Sequence, residues 1–208
     1  MNTDMREELK KALKLLIPGW KMQNNIDDKK SKSIYRLETV DECLKMAEEK
    51  NVEEQYVLHR WYNYKTSEEC ENIFVKCGAR KEENKKDSKK DIYINDVQFD
   101  VKLTVYPAGL PEHPFDLAKR EGKNGMIKWL YANQSQGDRK HLENRFFVVC
   151  DADTREERLR LKIDFEQMEE KIAAYFKYLE KNKINELTIK DKGEDFKVKS
   201  EVINILKK

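Results

Sequence analysis

The chain predicts an α/β fold: a central mixed β-sheet flanked by helices, with a helical N-terminal extension. Three observations predict it. Apolar residues recur at helical spacing through the first third of the chain, as in Leu9, Ala12, Leu13 and Leu16. Two later stretches alternate apolar and polar residues about short turn signals. "RFFVVCDAD", from Arg145, is a near-continuous apolar run of the kind found in a strand buried on both faces. With 208 residues, one domain of ordinary size plus an extension is expected. The expected divisions are a helical region over 1–64, an α/β core over 65–152, and a long helix with a β-hairpin over 153–208.

Taken in order, residues 3–16 form a helix stopped by Pro18-Gly19. "NNIDDKKSKS" reads as a polar linker. Two further helices run over 40–50 and 52–64, the second rich in aromatics (Tyr56, Trp61, Tyr62, Tyr64). A fourth begins at "TSEECENIFVKCGA", with Thr66 as N-cap, Glu69 completing a capping box, and Gly78 as its stop. "RKEENKKDSKK" is a loop or ragged edge strand. Ile92–Ile94, the turn pair Asn95-Asp96, and 97–106 make a β-hairpin. Pro107 to Pro114 is a loop, 125–134 a helix, and 159–179 one long amphipathic helix. The C-terminal segment turns a hairpin at Lys192-Gly193 and ends in a short helix.

Composition bounds the function. Apolar residues are 38% and charged residues 39%, with 42 basic against 40 acidic side chains and a net charge of +2. Such balance gives no global electrostatic case for a polyanion, so any basic surface must be local. The four cysteines (Cys43, Cys70, Cys77, Cys150) form no CxxC pair, which favours free core thiols and a cytoplasmic chain. "MNTDMREELKKALKLLIPGW" reads as neither a signal peptide nor a membrane span. A glycine-rich phosphate loop, a GxSxG elbow, an HExxH pair and a dinucleotide fingerprint are all missing.

The chemistry concentrates in "DIYINDVQFDVKLTVYP", from Asp91 to Pro107. Residues two apart on a strand share a face, so Asp100 and Lys102 project together. Pairing about the Asn95-Asp96 turn brings Asp91 level with Asp100. Two converging carboxylates beside a lysine suit a hard divalent cation, which polarises a phosphate and helps deprotonate water, while the lysine stabilises transition-state charge. An acid-x-lysine tripeptide alone means little here, since it recurs at Glu8-Lys10, Glu48-Lys50 and Glu169-Lys171 among other places. Its context gives it weight: a hairpin, an acid on the preceding strand, and a helix upstream.

The order of "EECENIFVKCGARKEE", "DIYI" and "FDVKLT" resembles the PD-(D/E)XK nuclease superfamily over roughly residues 66–150. That resemblance implies a restriction-endonuclease-like core and Mg²⁺-dependent hydrolysis of phosphodiester bonds in DNA, with Mn²⁺ substituting. It assigns Asp91 and Asp100 as metal-binding acids, the Val101 backbone carbonyl as a further ligand, and Lys102 as the catalytic lysine. The helix acid is Glu71 or Glu69, with Glu71 preferred because Glu69 has a capping-box explanation. Lys90 stands where the signature's name has proline. Gln134 is expected to orient a water or phosphate, and Arg139, Lys140, His141 and Arg145 to contact backbone phosphates. Nucleic acid is the expected partner, and a homodimer one arrangement that would cut both strands of a duplex. Two alternatives stay open: an inactive nuclease fold acting as a nucleic-acid-binding or protein-interaction module, and an unrelated α/β interaction protein. In the second, Asp100 and Lys102 are an ordinary structural ion pair of the hairpin.

Overall fold

The computed structural model describes residues 3–20, 24–83, 90–110, 114–133 and 142–207. The helices are α1 (Thr3–Leu15), α2 (Asn25–Lys30), α3 (Val40–Lys50), α4 (Glu54–Lys76), α5 (Arg120–Asn133), α6 (Arg155–Leu161) and α7 (Phe165–Leu179), with a 3₁₀ turn at Lys32–Arg36. Among the described residues six strands form one sheet: β1 (Arg80–Lys81), β2 (Ile92–Ile94), β3 (Val97–Val105), β4 (Arg145–Asp151), β5 (Glu186–Asp191) and β6 (Glu194–Leu206). Their spatial order is β1-β2-β3-β4-β6-β5. The first three run antiparallel, β3, β4 and β6 are parallel neighbours, and β5 closes the far edge antiparallel. The mixed sheet with flanking helices is the architecture the sequence predicts.

Local chemistry explains most boundaries. Thr39 and Glu42 form a capping box at the start of α3, and Thr154 and Glu157 do the same for α6. The hairpin of β2 and β3 turns through Asn95 (φ 48°) and Asp96 (φ 60°), the left-handed pair of a type I′ turn made without glycine. Helix α4 ends in a Schellman motif. Ala79 N–H donates to the Phe74 carbonyl and Gly78 N–H to that of Val75, with Gly78 at φ 119°.

One core lies between the sheet and α4 with α7, where Phe74, Phe146 and Tyr175 meet edge to face at 4.8 and 4.9 Å. The N-terminal helices join that same core through Leu9, Ala12, Val40, Cys43 and Ala47. A second core lies on the opposite face, where Met126, Ile127 and Leu130 of α5 cover Phe147, Val149 and Val202. Strand β4 is buried along its whole length, as a central parallel strand requires.

Four expectations are corrected. The two helices expected over 52–64 and from Thr66 are one, α4: nothing between Glu54 and Lys76 breaks it, and Thr66 sits inside it, its hydroxyl donating back to the Tyr62 carbonyl at 2.8 Å. The capping box at Thr66 therefore does not form, and the division expected at 64/65 falls inside α4. Conversely, 159–179 is two helices, because Asp164 caps a new one by accepting from Gln167 N–H at 3.0 Å. The "polar linker" folds into α2 and the 3₁₀ turn, with Asn24 as N-cap. The expected terminal helix is instead the second half of β6, whose β-branched Val202, Ile203 and Ile205 pair along β4.

Candidate active site

The hairpin register decides where the acids meet. Ile92 pairs with Phe99, and Asp91 N–H donates to the Phe99 carbonyl at 2.9 Å, so Asp91 stands at the frayed end of β2 beside Asp100. There Asp91 Oδ2 takes the Val101 N–H at 2.7 Å, and its carboxyl also reaches that of Asp100. A strand residue directs its N–H and C=O to one edge, so the Val101 carbonyl opens toward Asp91, beyond the last β2 pair. Lys102 Nζ bonds Asp100 Oδ1. Helix α4 contributes the third acid, since Glu71 lies close enough to Asp91 and Lys102 for both charges to act on it.

The four residues Glu71, Asp91, Asp100 and Lys102 thus converge at one place on the β2–β3 edge. Burial is the main reason that the Glu71 carboxyl is pushed up to about 7, with the Asp91 charge second. Burial and then the Asp100 charge push Asp91 up to about 6, against the opposing Val101 N–H. Glu69 faces outward to Asn72, so the choice between the two helix acids falls to Glu71 on position, not on the capping argument.

Arg145 changes the picture drawn from sequence. Expected among the residues that contact backbone phosphates, it is 1% exposed, with Nε 3.3 Å from Asp100 Oδ2 and its guanidinium over the Tyr131 ring at 5.2 Å. The parallel register sets this, because Asp100 and Arg145 are direct partners between β3 and β4. It is a buried counter-charge to Asp100, not a surface contact. The sequence offered no signal for that pairing, since the register of two strands joined through a helix is not written in either. Gln134, Arg139, Lys140 and His141 lie outside the described residues. The aromatics Tyr56, Trp61 and Tyr62 are core, and His59 is buried against Ile17 and Trp20.

Whether these side chains suit a divalent ion can be judged from their surroundings. Among the described residues no group of three or more His, Cys, Asp or Glu side chains forms a ready-made metal cage. Magnesium does not need one: it is usually held by one or two carboxylates and keeps its waters. Asp91, together with Asp100 and the Val101 carbonyl edge, fits that pattern. Asp100 alone is already neutralised, by Lys102 on one oxygen and Arg145 on the other.

The raised carboxyls set a pH dependence. Glu71 and Asp91 bind protons more tightly folded than unfolded, so between their ordinary values (4.5 and 3.8) and about 7 and 6 the folded state holds more protons. Their contribution favours folding at low pH and is lost as pH rises through that window. Thermal melts of the metal-free protein from pH 5 to 8 should show that decline, and Glu71→Gln should flatten it; an unchanged slope contradicts the placement of Glu71.

No family model, curated protein or solved structure matches this chain. Among the described residues, no helix is long and apolar enough to cross a membrane.

Proposed function

We propose that the chain is a metal-dependent phosphodiesterase acting on DNA, an endonuclease of the restriction or repair type. The observation that carries this reading is the meeting of Asp91 with Asp100 across the hairpin, with Lys102 and Glu71 alongside. The likeness of this order of helix, strand and strand to the PD-(D/E)XK superfamily supports it further. Asp91, Asp100 and the Val101 carbonyl would hold Mg²⁺ or Mn²⁺, which when bound supplies a polarised phosphate and an activated water. Lys102, its side chain 36% exposed, stabilises charge on the attacked phosphate. Glu71, its carboxyl pushed up to about 7 by burial, would exchange a proton with the attacking water.

Arg145 favours a second reading, in which the fold is kept and the chemistry lost. A buried guanidinium on Asp100 does part of the work a cation would do there. Incubation of the protein with plasmid, single-stranded and branched DNA separates the two. The nuclease reading expects nicked or cut products with Mg²⁺ or Mn²⁺ and none with chelator. Absence of products from all three substrates with either metal overturns it and leaves the binding module.

A further inference from the structure

Further along β3, on the face covered by α4, a cavity of about 370 Å³ lies between α4, α6 and the segment carrying Trp20. It sits at the lower end of the size range of small-ligand pockets. Its lining is unusual in charge: it includes Lys162, Arg155, Arg60 and His59, while among the described residues no Asp or Glu lines it. Arg60 is already committed to Asp28 and Ser31. Among the described residues, Lys162 and Arg155 have no such carboxylate partner.

Lys162 is 3% exposed, and its ammonium donates to a neutral partner, Asn63 Oδ1, at 2.5 Å. Burial pulls it down to about 8, and the neighbouring Cys150 and Cys70 thiols, themselves pushed up by burial, carry no counter-charge for it. Arg155 Nε is buried without a hydrogen-bond partner. Both charges bear on the His59 ring, which places Lys162, Arg155 and His59 around one space. Glu53, an acid whose charge bears on His59, accepts from the Trp20 indole N–H at 2.9 Å. A buried ammonium facing an arginine with no carboxylate between them costs folding free energy, because burying a charge is costly unless it is paired. An oxyanion in the cavity removes that cost by accepting from both.

We infer that this cavity is a binding site for a phosphate group, carried by a small ligand whose apolar part lies along Trp20 and Leu103. Lys162 and Arg155 are its anion ligands, with Asn63 holding Lys162 in place. Two sources carry this chemistry, a free mononucleotide and the terminal phosphate of a nucleic acid. The site does not depend on the chemistry at Asp91 and Asp100, and binding rather than cleavage reads it out.

The test is calorimetric titration of the full chain with inorganic phosphate, AMP, and a short oligodeoxynucleotide with or without a 5′-phosphate. Saturable binding of phosphate and of at least one carrier is expected. Lys162→Met and Arg155→Gln should each weaken it roughly 10- to 100-fold, the size of one charge-assisted hydrogen bond. Tighter binding of AMP points to the free nucleotide, and a gain from the 5′-phosphate on the oligonucleotide to the strand end. Thermal melts establish that each variant folds; if Lys162→Met does not, the half-exposed Arg155 decides. Absence of saturable binding by any of these probes, or equal binding by the wild type and every folded variant, overturns the assignment.

Discussion

Lys102→Met is expected to slow DNA cleavage by about 10²–10³-fold, the usual loss when one donor to transition-state charge is removed. The ammonium rests on Asp100 Oδ1 with the side chain 36% exposed, so it can turn toward a phosphate without unburying anything else. Methionine keeps the length of the stem and loses the charge. Asp100 retains Arg145, so the fold should be little changed. The loss should fall on the single-turnover rate and not on DNA affinity, because an interaction made only in the transition state lowers the rate of chemistry alone. Cleavage at the wild-type rate would reduce Lys102 to a surface partner of Asp100.

Arg145→Met should be the most damaging single change to stability near the site. It leaves Asp100, 1% exposed, facing the space its partner held. Removing one member of a buried pair costs about 3–5 kcal/mol. Here the lower end is expected, since Lys102 still bonds the other carboxylate oxygen. At roughly 2–4 °C per kcal/mol for a chain of this size, the melting temperature should fall by about 6–12 °C. Adding Asp100→Asn should return part of that loss, because a neutral amide is less costly to bury than an unpaired carboxylate. A fall of less than about 1 kcal/mol would mean that the pair is not buried together as described.

Much of the architecture is legible in the residues because it is local. The hairpin at Asn95-Asp96, the strand "RFFVVCD", the stop at Gly78 and the turn at Lys192-Gly193 each have a short-range cause. The misread elements are those in which burial overrides a local cue. Thr66 looks like a cap but bonds backward inside α4, and the apolar stripe of Leu159, Leu161, Phe165 and Met168 runs on across a real break at Asp164. "EVINIL" fits a helix by length and a strand by its β-branched residues, and pairing with β4 settles it.

The candidate site divides in the same way. Asp91 opposite Asp100 follows from counting residues out from a two-residue turn. Arg145 beside Asp100 follows only from the β3–β4 register, and the cavity around Lys162 only from the packing of α6 against α4. These are contacts between segments distant in sequence, each carrying no mark of its partner.

The reading rests on Asp91 and Asp100 sharing one ion. Titration with Mn²⁺ followed by electron paramagnetic resonance tests it directly in wild type and Asp91→Asn. The account predicts one saturable Mn²⁺ per chain in the wild type, displaced by excess Mg²⁺ and lost in Asp91→Asn. No saturable Mn²⁺ in the wild type, or a site that survives Asp91→Asn unchanged, would contradict it.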